Sequence, residues 1–284
     1  MQQAARFWRS REGALVLPAL VFYLLVYVYP LVKMAGWSFF DNGFTLKFWR
    51  ELAGEPAYFK ALSNTIEISV LVTAITLALS YPLAYLMTTT TARARRVLTV
   101  LLLIPFWTSV LVRTFAWLVI LGRNGLINNA LLGLGLVDEP QKLLFNMIGV
   151  QVGMVHVLLP FMVFPLYAVM SRIDLNVIRV ARSLGAPPYR VFLHVFLPLS
   201  LPGVAAGCIL VFLLAVGFYV TPALLGGPGQ ITLATMIDMM ITTFLNFGFA
   251  ATLGLLLLAV VAGIFAMVSA LLGLNRIVGG GAGS

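Results

Sequence analysis

Long apolar runs separated by short polar or basic stretches dominate the chain. Six segments hold enough consecutive apolar residues to be read as helices: Ala14–Gly36, Asn64–Thr88, Leu98–Leu121, Leu144–Met170, Ser200–Leu225 and Phe247–Gly273. Each is close to or above the about 20 residues needed to cross roughly 30 Å of hydrocarbon. The polar stretch between the fourth and fifth runs, SRIDLNVIRVARSLGAPPYRVFLHVFLPLSLPGV, has an internal pattern of its own. Asp174 is suited to cap a helix from about Leu175. Leu184 followed by Gly185 ends that helix, since glycine accepts the left-handed conformation at a helix terminus. Pro187 and Pro188 suit the start of a second helix, where a missing N–H costs nothing. Val191, Phe192, Val195 and Phe196 then recur at helical spacing before Pro198 and Pro202. The expectation is two short helices meeting at a fixed bend, with their arginines outward.

Composition turns these runs into membrane spans. Of 284 residues 61% are apolar and 10% charged, against about 25% charged in ordinary soluble domains, and the mean hydropathy is +1.03. A water-facing surface around one core is excluded. The formal charge of +9 would suggest a nucleic-acid partner in a soluble protein, but its distribution points elsewhere. With the N-terminus inside, one face carries Arg6, Arg9, Arg11, Arg93, Arg95, Arg96, Arg172, Arg179, Arg182, Arg190 and Arg276 against only Glu12 and Asp174. The other face balances Lys33, Lys47, Arg50, Lys60, Arg123 and Lys142 against Asp41, Glu51, Glu55, Asp138, Glu139 and Asp238. This asymmetry places both termini in the cytoplasm. The TTTTARARR loop then reads as a topology determinant facing anionic headgroups, and no nucleic-acid partner is expected. Residues 1–13 are a cytoplasmic segment before a retained anchor, because no A-x-A site follows the first run. Residues 14–273 form one membrane domain and 274–284 a flexible tail.

Catalytic and metal signatures are few. The single cysteine, Cys208, excludes an internal disulfide, and His156 and His194 lie too far apart to form a local ligand pair. The chain has no P-loop, G-x-S-x-G or H-E-x-x-H motif. No metal site and no catalytic residue is expected.

The 171–199 loop resembles the EAA loop of permease subunits in binding-protein-dependent type I ABC importers, whose pattern is E-A-A-x-x-x-G-A followed by a spacer and L-P. Arg179, Val180 and Ala181 stand at the E-A-A places, Gly185 and Ala186 at G-A, and Pro198 closes the motif. An arginine stands where the family has its glutamate, reversing the charge. LVFYLLVYVYPL, SNTIEIS, YPLAYL, IPFWTSVLVRTFAW, GRNGLINNALLGLGLVDEP, GMVHVLLPFMVFPLY and GFYVTPALLGGP are similar to the spermidine/putrescine branch of that family, a branch also associated with opines and amino acids. The resemblance implies an all-α fold of six transmembrane helices in a bacterial inner membrane. It implies coupling to the ATPase through Arg179, Val180, Ala181, Arg182, Leu184, Gly185 and Ala186. The implied partners are a second, related permease chain, two ATPase subunits that bind ATP and Mg, a periplasmic solute-binding protein, and membrane lipid. No cofactor is implied for this chain, and hydrolysis belongs to the ATPase.

Polar residues within the spans are candidate pathway groups, because ionisable side chains at membrane depth are costly. Glu67 and Arg113 lie at depths that differ by roughly 6 Å at 1.5 Å per residue. They suit either an ion pair locking spans two and three or a Glu67 that meets a cationic solute. His156 sits near the middle of span four with Gln151 outward of it, in place for an inter-helix hydrogen bond or a solute contact. Trp107 and Thr108 after Pro105, and Tyr219 before Pro222, flank breaks in the helix ladder, and the two aromatics offer cation–π faces. Two other classes stand beside the importer. A secondary transporter would have Glu67 as its only intramembrane carboxylate, and an intramembrane enzyme would need a partner for His156.

Overall fold

The computed structural model describes residues 11–41 and 43–271. Expectations about residues 1–10 and 272–284, including Arg6, Arg9, Arg276 and the glycine-rich tail, lie outside them. Among the described residues the chain is a succession of helices with one isolated bridge, Phe40 to Phe44. Six helices are long and apolar enough to span: Leu17–Trp37, Pro56–Thr89, Val110–Gly133, Met147–Met170, Pro188–Val216 and Phe247–Ala270. The described residues fall into two compact units, one holding those up to Tyr58 with Met236–Val260, the other Phe59–Thr235 and those from Val261 onward.

The first unit begins with α1 (Arg11–Tyr23), a π-turn over Leu24–Val28, and α2 (Tyr29–Trp37). None of the first span's described residues is buried, residues 34–36 near its end being partly covered, so its apolar surface faces outward along its length. Helix α3 (Lys47–Gly54) buries Phe48 and Leu52 and leaves its charged face out. Gly248 lets the Phe48 ring lie against the backbone at the start of the last span. Ser38 and Thr252 share a hydrogen bond of 2.9 Å between their hydroxyls in a buried position, and the Trp37 and Phe247 rings meet edge to face at 6.0 Å.

The second unit carries the core. Its elements are α4 (Pro56–Thr89), α5 (Ala92–Leu103), a 3-10 turn at Ile104–Trp107, α6 (Val110–Leu121), α7 (Leu126–Gly133), α8 (Met147–Met170), α9 (Leu175–Ser183), α10 (Pro188–Val191), a π-turn at Phe192–Phe196, α11 (Leu197–Val216) and α12 (Val220–Leu225). Helices α13 (Leu233–Thr242) and α14 (Phe247–Leu271) follow. Helix α8 lies at the centre, with Val150, Met154, Leu158, Met162, Val163 and Leu166 buried. Helix α11 packs against it through Gly203 and Gly207, four residues apart and so on one face. A Cβ on Gly203 would come within 3.0 Å of Val169 Cβ and 3.3 Å of Pro165 O. The backbones therefore approach at a distance only glycine allows, the usual way to gain packing energy between helices in lipid.

The boundaries differ from the sequence expectation in three places. The second span begins at Pro56, not Asn64; its 34 residues make a helix of about 50 Å, well beyond the hydrocarbon. Asn64 and Thr65 have been recruited to hold a distant loop. Asn64 Nδ2 donates to Gly229 O at 2.8 Å and to Ile231 O at 3.0 Å, and Leu233 N–H donates to Thr65 Oγ1 at 2.8 Å. The expected span Leu98–Leu121 is not one helix: Pro105 tightens the chain into a 3-10 turn, Thr108 is extended, and the ladder restarts at Val110. Span five begins twelve residues early, because α10 and α11 join through the π-turn into one apolar helix, Pro188–Val216, and Val220–Leu225 is a separate short helix.

Both π-turns end two residues before a proline, Pro30 and Pro198. A proline ring in a regular helix clashes with the carbonyl four residues earlier and cannot donate to it. The widened turn moves that carbonyl aside while Tyr29 N–H donates to Leu24 O and Leu197 N–H to Phe192 O, so the helix continues without breaking.

Replacing Gly203 by leucine is expected to overpack the α8–α11 contact and cost about 1–3 kcal/mol. Gly133→Ala, whose Cβ meets nothing within 4 Å, should be neutral. The comparison is read as thermal midpoints of the two purified variants in one detergent; equal midpoints would disprove the close approach.

Candidate functional site

The loop after α8 is built as its sequence pattern requires. Asp174 caps α9 by accepting from Asn176 N–H at 2.9 Å. At the other end Gly185 N–H donates to Arg182 O at 2.9 Å and Ala186 N–H to Ala181 O at 3.2 Å. This pair of bonds is the Schellman closure, with Gly185 in the left-handed conformation at φ +82°. A Cβ there would meet no atom within 4 Å, so glycine is required by the backbone and not by crowding. Pro187 caps and Pro188 opens α10.

The arginines of α9 lie outward as expected, Arg179 and Arg182 both exposed, but they share the helix surface with an apolar stripe. Ile178 packs against the core, and Arg179 and Arg182 line a cavity beside it with Tyr85, Thr88, Thr89 and Arg95. On the opposite side Val177, Val180 and Leu184 are exposed, Leu184 by 82%. These three sit at i, i+3 and i+7, a single helical stripe. One of the exposed faces of α9 is therefore apolar, and Val177 belongs to it although the EAA pattern does not include that residue. The second short helix is likewise not separate, since it runs on into span five.

Within the spans the structure joins some candidates and separates others. Arg113 and Trp117 lie one turn apart on α6. Trp117 Nε1–H donates to His156 Nδ1 at 3.2 Å, with the rings edge to face at 5.6 Å. As the acceptor, Nδ1 carries no proton in this arrangement. His156 thus fills the inter-helix role, and its partner Trp117 was legible only as the residue four after Arg113. Arg113 lines a cavity of about 200 Å³ whose other walls, among them Phe106, Val157, Phe161 and Phe218, are apolar. Its Nε is buried with no hydrogen-bond partner. Glu67 is exposed on α4, so the expected Glu67–Arg113 ion pair is not formed. Gln151 is buried; its Nε2 reaches Met147 Sδ at 3.5 Å while its Oε1 has no partner. Trp107 and Tyr219 are exposed, by 79% and 46%, and Thr108 Oγ1 turns back to Pro105 O at 3.0 Å. The structure therefore gathers Arg113 with His156 and leaves Glu67, Trp107 and Tyr219 outside that group.

Comparison with known proteins decides the family. The pattern of the binding-protein-dependent transport system inner membrane component matches residues 80–278. The chain belongs to this family. The spermidine/putrescine transport system permease protein PotB of Salmonella typhimurium is 32% identical over 251 residues, 85% of this chain and 87% of that one. PotB of Haemophilus influenzae is 34% identical, covering 83% and 82%. The structure of a bacterial alginate ABC transporter in complex with an alginate pentasaccharide-bound periplasmic protein contains a chain that superposes with a TM-score of 0.74. It has 17% identity and covers 94% of this chain and 95% of that one, a likeness that shows the ABC importer permease fold. The protein is thus a multi-pass inner-membrane transport permease, a non-enzymatic role.

In this permease Trp117 and His156 tie α6 to α8 through one bond. Trp117→Phe should cost about 0.5–1.5 kcal/mol. His156→Phe should cost a similar amount, and the double variant clearly less than the sum. A double-mutant cycle on thermal midpoints checks this; strict additivity would show that the bond contributes nothing.

Proposed function

We propose that the chain is one of two permease subunits of an ATP-driven importer of polyamines such as spermidine or putrescine. The carrying observation is the similarity to PotB, at 32–34% identity across more than four fifths of both chains. In this reading a periplasmic binding protein delivers the solute to the outer loops, and a second, related permease completes the pathway. Two cytoplasmic ATPase subunits bind ATP and Mg and carry out hydrolysis, so this chain needs no cofactor of its own. The concentration of arginines on one face supports cytoplasmic termini.

Coupling is assigned to α9 and its closing bend. The exposed Val177, Val180 and Leu184 stripe suits an apolar groove on the ATPase, where burial of each side chain stabilises contact by about 1.5–3 kcal/mol. The Schellman bend at Gly185 fixes the angle between α9 and the helix that becomes span five, so that displacement of the stripe is passed to the membrane. Differential contact of the ATPase with the two states of the permease then drives alternating access.

A second reading is favoured by one observation. The buried, unpartnered Arg113 Nε suits a cargo that carries a carboxylate beside its amine, such as an opine or amino acid, better than a bare polyamine.

Three outcomes follow for the assembled transporter. Val180→Asp with Leu184→Asp should leave the complex expressed but lower ATP-dependent uptake of labelled spermidine at least about tenfold, the effect of about 1.4 kcal/mol at the contact. Gly185→Val, forced into a left-handed conformation that L-residues resist, should alter ATP hydrolysis by the purified complex; unchanged hydrolysis would remove the coupling role. In competition assays spermidine and putrescine should displace labelled cargo while opines and amino acids do not, and the reverse order would favour the carboxylate reading. Uptake that survives loss of the ATPase would point to a secondary transporter.

A further inference from the structure

A basic cavity of about 330 Å³ lies where the last turn of α4, the start of α5, the end of α8 and the side of α9 that carries Ile178, Arg179 and Arg182 come together. Its polar lining includes Arg95, Arg179 and Arg182 with Thr88, Thr89 and Ser171, and no carboxylate lines it. The hydroxyls spend their protons on the backbone: Thr88 Oγ1 donates to Tyr85 O at 2.7 Å, Thr89 Oγ1 to Tyr85 O at 3.2 Å, and Ser171 Oγ to Ala168 O at 3.2 Å. Arg179 Nη1 makes one long bond, 3.4 Å, to Asn176 Oδ1. Among the described residues the three guanidinium groups that line this space make one long side-chain bond, and no carboxylate lines it. Arg95 is half-buried and also borders a second cavity of about 360 Å³ with Arg96, Thr99 and Tyr167. Beside it α5 exposes Val97, Val100 and Leu101. The site lies at the adjacent ends of two of the long apolar helices, α4 and α8.

We propose that this cavity is a built site for one anionic phospholipid, the phosphate held by Arg95, Arg179 and Arg182 and the acyl chains lying along the exposed apolar face of α5. Guanidinium matches phosphate oxygens in paired, charge-assisted bonds, and basic pockets between spans at the cytoplasmic side suit anionic headgroups. Val100, which lines the second cavity with Arg95, is the near edge of the exposed apolar face of Val97, Val100 and Leu101 on the far side of α5, and a free phosphate would gain nothing from that face. The basic first turns of α5 thereby acquire a defined contact through Arg95, while Arg93 lines neither cavity. Two of the three cations stand on α9, so the lipid braces the helix whose other side carries the apolar stripe. This inference rests on the chain being embedded in a membrane and not on the identity of its cargo.

The test uses the assembled transporter, stripped in detergent and returned to nanodiscs of phosphatidylcholine containing phosphatidylglycerol, with retained lipid counted by native mass spectrometry. The wild type should retain phosphatidylglycerol selectively. Arg95→Gln should lower its retention about fivefold, and the further change Arg182→Gln about fivefold again, at roughly one surface-charge contact each. Arg95→Lys, which keeps the charge, should retain most of the lipid, and Arg123→Gln, on the other side of the chain, should not differ from wild type. Millimolar inorganic phosphate should fail to displace the lipid. Equal retention by the double glutamine variant, or full displacement by phosphate alone, overturns the proposal. Spermidine uptake, measured separately, reports on the cargo reading without bearing on the lipid count.

Discussion

Within hydrocarbon no water is available to satisfy a backbone N–H or C=O, and each unsatisfied group costs several kcal/mol. The helices of this protein are arranged around that constraint. Pro30 and Pro198 would each interrupt a span, and each is preceded by a π-turn that keeps the ladder running. Where the ladder does stop, other partners take over. Asn128 Nδ2 donates to Gly122 O and Gln141 O, both at 3.0 Å, and its Oδ1 accepts from Gln141 N–H at 2.8 Å. Asn64 closes the loop near Gly229 in the same way. Side-chain amides at the helix ends thus do the work that solvent does elsewhere.

The same economy shapes the functional elements. Helix α9 is firmly placed and yet keeps a free surface, with a cap at Asp174, a Schellman closure at Gly185, one isoleucine packed against the core and an apolar stripe left exposed. Within the spans, a histidine that would be costly alone is satisfied by an indole N–H. Arg113 has no such arrangement among the described residues; its buried Nε is unpartnered and the guanidinium stands beside apolar walls.

Much of this was legible in the sequence, and the exceptions have physical causes. Length and hydropathy reveal six spans because a helix is the only structure the apolar runs can adopt in lipid. The caps at Asp174 and Gly185 were readable because they depend on local chemistry alone. Hydropathy could not show that α4 extends eight residues past its apolar run to Pro56, since a polar helix turn and a polar loop look alike on that scale. Nor could it separate Pro105, which breaks its helix, from Pro198, which does not; the difference lies in the widened turn before Pro198. The arginines of α9 are exposed, as charge usually is; the pattern did not show that Val177, Val180 and Leu184, residues that would normally be buried, are exposed on the same short helix. Glu67 and Arg113 matched in depth, but depth along two helices says nothing about which way either side chain is turned.

The unbroken run from Pro188 to Val216 has a mechanical consequence. Its 29 residues make a rod of about 43 Å, anchored at one end to the bend at Gly185. A tilt of about 10° about its middle moves each end by roughly 4 Å. A displacement at the Gly185 end is therefore matched by an equal and opposite one at the far end. The glycines at 203 and 207 sit close to the middle of that rod, where a pivot moves least and the tightest packing does the least to resist rotation.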